Sequence, residues 1–311
     1  MPDPSADIPA ATPTARVPEL SALVLPDRHP PAAFLADVQA AERAGVRTVW
    51  TYDHLTWPRL ADGPWYGCVP LLAAAAVATT TVRLGLQVAT PNYRHPVPFA
   101  KELMTLDQLC GGRLEVGLGA GAEGADAAVL GDPPRSLRER TDRFVEWIGL
   151  LDELLTHPVT TVRGERFTAI DAHQLPGSVQ QPRVPFTVAA AGPRAMGLVG
   201  RYGQAWVTYG PYGPAVEPQE WFEALTAQSA ALTASLERAG RPAEDVRRIV
   251  QFDLAARWPF RTAETYAETL DHLADLGFDE ITVHWPRPDG LGVPTDRLDT
   301  VLAAHGLEAA S

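Results

Sequence analysis

Lysine is almost missing from this chain, whose 26 basic residues are 25 arginines and the single Lys101. A Schiff-base mechanism needs an amine at an active site, and Lys101 falls in a helix-patterned stretch, so that chemistry is set aside. Cysteine is equally scarce: Cys68 and Cys110 stand far apart without a CxxC pair, which excludes a disulfide framework or zinc knuckle and reads as two core thiols in a reducing compartment. The eight histidines form no HxH pair, which argues against a metal-dependent hydrolase, and no metal site is expected. With a formal charge of -12 and no basic run, the chain would be repelled by a phosphate backbone, so nucleic acid is not an expected partner. The longest apolar run, Val69 to Ala78, falls well short of the roughly 20 residues that cross a bilayer. The first residues lack the basic start and apolar core of a signal peptide, and the expectation is a cytoplasmic protein without membrane contact.

What is present is an ordinary globular composition, 46% hydrophobic and 21% charged over 311 residues, enough for one large core. The Pro- and Ala-rich segment 1–18 reads as a disordered tail, and 19–311 as a single domain. Eight short apolar runs alternate with amphipathic stretches: Ala22 to Leu25, Thr48 to Tyr52, Val82 to Ala89, Leu114 to Leu118, Phe186 to Ala190, Ala205 to Thr208, Ile249 to Leu254 and Glu280 to His284. AERAGVRTVWTYDH and LADLGFDEITVHW share one grammar, each ending a helix at a glycine, Gly45 or Gly277, before a strand. Eight such units in under 300 residues predict an α/β fold, a closed (β/α)8 TIM barrel, with insertion loops at its C-terminal face. The segment Ala120 to Ser136 reads as a long loop, and His157 to Pro185 as a small strand pair and a covering excursion.

In such a barrel the residues just after each strand carry the chemistry. TYDHLTW puts Asp53, His54 and Trp57 at the mouth, where a histidine can relay protons and an aspartate accept a hydrogen bond; a turn cap and a satisfied polar residue explain them equally well. GLGAGAEG offers small residues that let a ring or phosphate approach backbone N–H groups, although glycine-rich turns are common. AAAGPRAMG opens a helix at Gly192 and Pro193 whose free N–H groups would hold an anion, helped by Arg194. WVTYGPYG brings Thr208 and Tyr209 to the same rim, as packing or as substrate contacts.

Three blocks in order, AERAGVRTVWTYDHL, RHPVPFAKELMTLDQLCGGRLEVGLGAG and VPFTVAAAGPRAMGLVGRYGQAWVTYG, resemble the luciferase-like family of flavin and coenzyme F420-dependent oxidoreductases over roughly residues 20 to 285. The resemblance implies the same barrel. It also implies a non-prolyl cis peptide at Gln87-Val88, in a bulge behind the tricyclic ring of the cofactor. Ring contacts from Asp53 and Thr90, edge contacts from Ala120 and Gly121, and phosphate contacts from Ala191, Gly192, Arg194 and Ala195 are implied as well. His54 would be the catalytic residue, and Trp57, Trp65, Tyr66, Thr208 and Tyr209 would bound a largely apolar substrate pocket.

TPNYRHP, the GPRAMGLVGRYG block and the WVT strand resemble deazaflavin-dependent members more than luciferases, favouring coenzyme F420 over FMN. The implied reaction is hydride transfer to or from a C=C, C=N or C–OH group of a small substrate, such as a natural-product intermediate. The alternatives are an FMN-dependent two-component monooxygenase and a non-catalytic ligand-binding member. Ala122 and Pro211 stand where sugar-phosphate dehydrogenases of the family carry a glutamate and a lysine, which speaks against a sugar phosphate; Gln204 departs from a common aspartate. Family members commonly pair through barrel helices, and LLAAAAVATT could serve a homodimer or pack on its own barrel, which light scattering distinguishes.

Overall fold

The structure, a computed structural model, describes residues 17–122, 125–211 and 216–308; residues 1–16 of the expected tail lie outside them. Eight parallel strands close into a barrel in the order β1 (Glu19–Leu23), β2 (Thr48–Thr51), β3 (Arg83–Ala89), β4 (Leu114–Leu118), β7 (Phe186–Ala189), β8 (Ala205–Thr208), β9 (Arg247–Gln251) and β10 (Glu280–His284), with β10 back against β1. The closing register pairs Glu19 with Glu280 and Leu23 with His284. Between β4 and β7 an antiparallel pair, β5 (Val159–Arg163) and β6 (Thr168–His173), forms the strand pair expected in the covering excursion.

Helices follow the strands: α1 (Pro31–Arg43), α2 (Cys68–Ala78), α3 (Pro96–Leu109), α4 (Ala125–Val129), α5 (Leu137–Thr156), α6 (Pro193–Tyr202), α7 (Pro218–Ala239), α8 (Ala263–Asp275) and α9 (Leu298–Ala304). Proline starts α1, α3, α6 and α7, where its fixed φ suits the first turn and its missing N–H costs nothing. Ser136 and Glu139 form a reciprocal capping box on α5. Among the described residues no helix is long and apolar enough to cross a membrane.

Two apolar clusters result. One fills the space between barrel and helices and includes both free cysteines; the other, with Leu23, Trp50, Val207 and Ile249, fills the barrel interior. Burial on both faces explains why β4 and β10 contain no exposed position.

Three elements differ from the sequence reading, two strands that lie earlier in the chain and one added helix. The first strand begins at Glu19 rather than Ala22, and the ninth at Arg247 rather than Ile249. Both were missed because these strands start with polar residues that meet at the N-terminal end of the barrel. There the buried Glu115 and Glu280 take ion pairs from Arg47, Arg83 and Arg247, and Glu280 also accepts from Ser21 Oγ at 2.6 Å and Trp50 Nε1 at 3.3 Å. An apolar-run criterion cannot see a strand end whose partners are charges. The third difference is α4, a short helix inside the stretch read as irregular.

Candidate active site

A cavity of about 1370 Å³ opens where most of its wall follows the C-terminal ends of barrel strands. One side is made by β3. The Gln87-Val88 peptide is cis, and the β3–β4 register shifts between Leu86 and Ala89, which is the bulge the resemblance implied. Gly117 makes room for it: a Cβ there would lie 2.5 Å from Leu86 O and 3.0 Å from Gln87 Cα.

The floor is polar and connected. Gln87 Nε2 donates to Gln251 Oε1 at 2.6 Å, Gln251 Nε2 donates to Tyr52 OH at 2.8 Å, and Tyr52 OH lies 3.3 Å from His284 Nε2. His284 is buried, and desolvation, reinforced by Arg287 and Arg59, pushes its pKa down to about 3. A neutral imidazole then shares a hydrogen bond with the Tyr52 hydroxyl through Nε2. Burial pushes the phenols of Tyr52 and Tyr209 up, so both enter the cavity wall as neutral hydrogen-bonding groups.

At the rim, His54 Nδ1 lies 2.7 Å from Asp126 Oδ2, and the other oxygen, Oδ1, accepts from the Leu55 N–H at 2.7 Å. Asp126 comes from α4 and is buried, whereas His54 is about a quarter exposed and faces the cavity. Trp65 Nε1 donates to His54 O at 2.9 Å, and the Tyr52 and Trp57 rings meet edge-on at 5.1 Å. Across the mouth Arg59 Nη1 donates to Asp253 Oδ1 at 3.3 Å.

The opposite end suits an anion. Gly192 caps α6 without any side-chain hydrogen bond, a Cβ there would meet nothing within 4 Å, and the first turn therefore presents free N–H groups to the cavity. Arg138 and Arg194 stand beside it, Arg194 held by Asp142.

The fold brings together most of the residues singled out in the sequence: His54, Trp57, Gln87, Val88, Thr90, Ala120, Gly121, Ala191, Gly192, Arg194, Ala195, Thr208 and Tyr209 all line this cavity. Asp53, Trp65 and Tyr66 do not line it. Strand alternation explains Asp53, because Tyr52 and His54 face the interior and the residue between them turns the other way. There it is fully buried and takes a two-pronged ion pair from Arg94, at 2.7 and 3.1 Å. Burial alone would lower the Arg94 pKa, but the Asp53 hydrogen bonds and charge outweigh it and hold the guanidinium firmly protonated. Trp65 backs Trp57 from behind, and Tyr66 turns its hydroxyl to His29 Nδ1 at 2.6 Å. Tyr52, Gln251, Asp253 and Asp126 were missed. The alternation that hides Asp53 could have found Tyr52; nothing local links Asp126 to a histidine 72 residues earlier. Among the described residues no group of three or more His, Cys, Asp or Glu side chains could hold a metal ion.

The chain is 37% identical over 182 residues to an F420-dependent glucose-6-phosphate dehydrogenase of Beutenbergia cavernae, covering 58% of this chain and 53% of that protein. It is 35% identical over 178 residues to an F420-dependent hydroxymycolic acid dehydrogenase of Mycobacterium tuberculosis, covering 56% and 48%. It thus spans about half the length of these curated relatives. An F420-dependent secondary alcohol dehydrogenase in complex with an F420-acetone adduct shares the fold, with a TM-score of 0.72 at 18% identity over 85% of this chain and 92% of the other. The profile of one family, described as luciferase-like monooxygenase, matches residues 12–284, and with the closed barrel and the cis bulge in β3 this leads to one conclusion: the chain belongs to the luciferase-like monooxygenase family.

Proposed function

We propose that this protein is a coenzyme F420-dependent oxidoreductase acting on a small, largely apolar substrate. One observation carries the reading: a single cavity joins a bulged, apolar wall, an oriented histidine and a helix N-terminus flanked by two arginines. A tricyclic ring with a phosphate-bearing tail needs those features at opposite ends of one site. The volume exceeds the roughly 300–1000 Å³ of an ordinary ligand pocket and suits a cofactor together with a substrate. The names of the relatives described above favour the deazaflavin over FMN.

On this reading Val88, Thr90, Ala120 and Gly121 hold the ring against the β3 bulge, and Ala191, Gly192, Arg194 and Ala195 hold the phosphate. When bound, the deazaflavin exchanges hydride at its C5 and reacts poorly with oxygen. Trp57, Thr208 and Tyr209 bound the substrate, and His54 moves a proton at the substrate's polar atom. Substrates with C=C, C=N or C–OH groups fit this arrangement. A sugar phosphate does not, because Ala122 brings no carboxylate to the wall. Asp53, placed behind the wall, supports the site through Arg94. Pairing of two copies through barrel helices belongs to the same proposal.

The test is a titration of the protein with oxidised and reduced coenzyme F420, and in parallel with FMN, followed by fluorescence and absorbance. Saturable binding of the deazaflavin in preference to FMN is the expected result. Preference for FMN would replace this reading with an oxygen-using monooxygenase, and binding of neither would leave a non-catalytic member.

A further inference from the structure

We infer that Asp126 is a positioning residue that fixes which nitrogen of His54 bears the proton. An aspartate carboxylate has only acceptor sites, so at 2.7 Å it requires a donor, and His54 Nδ1 is that donor. The second carboxylate oxygen is occupied by the Leu55 N–H at 2.7 Å, which prevents the group from rotating away. Asp126 is almost wholly buried while His54 is about a quarter exposed, so the pair is anchored on one side and open on the other. With Nδ1–H bound to Asp126, a neutral His54 carries its lone pair on Nε2, and both residues line the cavity.

The consequence for chemistry rests on the proposed function. A bare Nε2 is a proton acceptor, which suits a substrate hydroxyl: in the oxidising direction its C–H bond gives a hydride to the bound cofactor, its O–H proton passes to Nε2, and a C=O bond forms. The carboxylate reaches His54 from position 126 on α4, four positions after Ala122 in the sequence, where the wall supplies none.

The decisive variant is Asp126→Asn. The Leu55 N–H will still claim the amide oxygen, which turns the NH2 group toward His54 Nδ1 and converts that nitrogen from donor to acceptor. His54 must then carry its proton on Nε2. Ring 15N spectra of the ligand-free protein, recorded near pH 9 and assigned by the signal lost in His54→Gln, read the tautomer directly. The expected result is Nδ1–H in the parent protein, Nε2–H in Asp126→Asn, and Nδ1–H again in Asp126→Glu. Coenzyme F420 affinity of Asp126→Asn should stay within about twofold, well under the tenfold that marks 1.4 kcal/mol.

A parent protein with its proton on Nε2 would overturn the inference, as would an unchanged tautomer in Asp126→Asn or a tenfold loss of cofactor affinity, which would make Asp126 a direct ligand contact. Should the asparagine variant fail to fold, the tautomers of the parent and Asp126→Glu decide. A parent protein that binds no deazaflavin yet shows Nδ1–H sinks the proposed function while leaving the positioning role standing.

Discussion

The two ends of the barrel solve opposite problems with similar residues. At the N-terminal end, buried glutamates and arginines meet face to face: Glu115 and Glu280 are each held by at least two arginines, and Ser21 and Trp50 take up an oxygen that would otherwise be unpaired. Burial pushes the Glu280 carboxyl up and the surrounding arginines pull it back, a balance with no room for a ligand. At the C-terminal end the groups are held but left open: α6 has an uncapped first turn, and His54 is tethered through one nitrogen with the other ring edge toward the cavity. A satisfied cluster maintains a fold, and a partly satisfied one is available for chemistry. The difference lies in whether the last hydrogen-bonding position is filled by the protein itself.

The largest expected effect breaks the closed end. Glu280→Ala leaves Arg47 and Arg247 short of a buried partner and should cost about 3–5 kcal/mol in urea unfolding, while the folded fraction binds coenzyme F420 as before. A loss of cofactor affinity without a loss of stability would dissolve the division of labour between the ends.

The floor of the cavity lies between the two regimes, and His284 tests it. Its folded pKa of about 3 lies below the ordinary 6.5, so between those values the unfolded chain takes up a proton that the folded chain refuses. Stability therefore falls as pH drops through that window, by up to about 1.4 kcal/mol per unit. Urea midpoints at pH 7 and pH 5 should show the parent losing about 2 kcal/mol more than His284→Asn. Equal losses would mean that His284 is not buried as a neutral ring.

The smallest effect concerns the open end. Gly121 has φ +79°, and a Cβ there would lie 2.3 Å from Asn92 Nδ2. Gly121→Ala should cost about 1–2 kcal/mol of stability and weaken coenzyme F420 binding on the order of tenfold, since Asn92 must shift within the cavity wall. Full affinity in that variant would sharpen the comparison by showing that the open end tolerates rearrangement.

Much of the fold was legible because its signals are local. Six of the eight barrel strands, Thr48–Thr51, Arg83–Ala89, Leu114–Leu118, Phe186–Ala189, Ala205–Thr208 and Glu280–His284, lie within one residue of the apolar runs, since parallel strands buried on both faces are largely apolar. The glycine before β2 and the one before β10 both adopt positive φ, as their place after a helix required. The polar starts of β1 and β9 were hidden because their partners are side chains from other strands.

By itself the sequence determined the barrel, the order of its units and the helix that opens at Gly192, because each follows from periodicity or turn chemistry contained in one segment, while the bulged third strand was implied by the family resemblance. Only the tertiary structure decided that Asp53 turns away to Arg94, that Tyr52 and Gln251 share a floor with Gln87, and that Asp126 reaches His54. Those contacts join residues 41 to 199 positions apart. Closing the barrel sets which of them meet, and no local pattern encodes it.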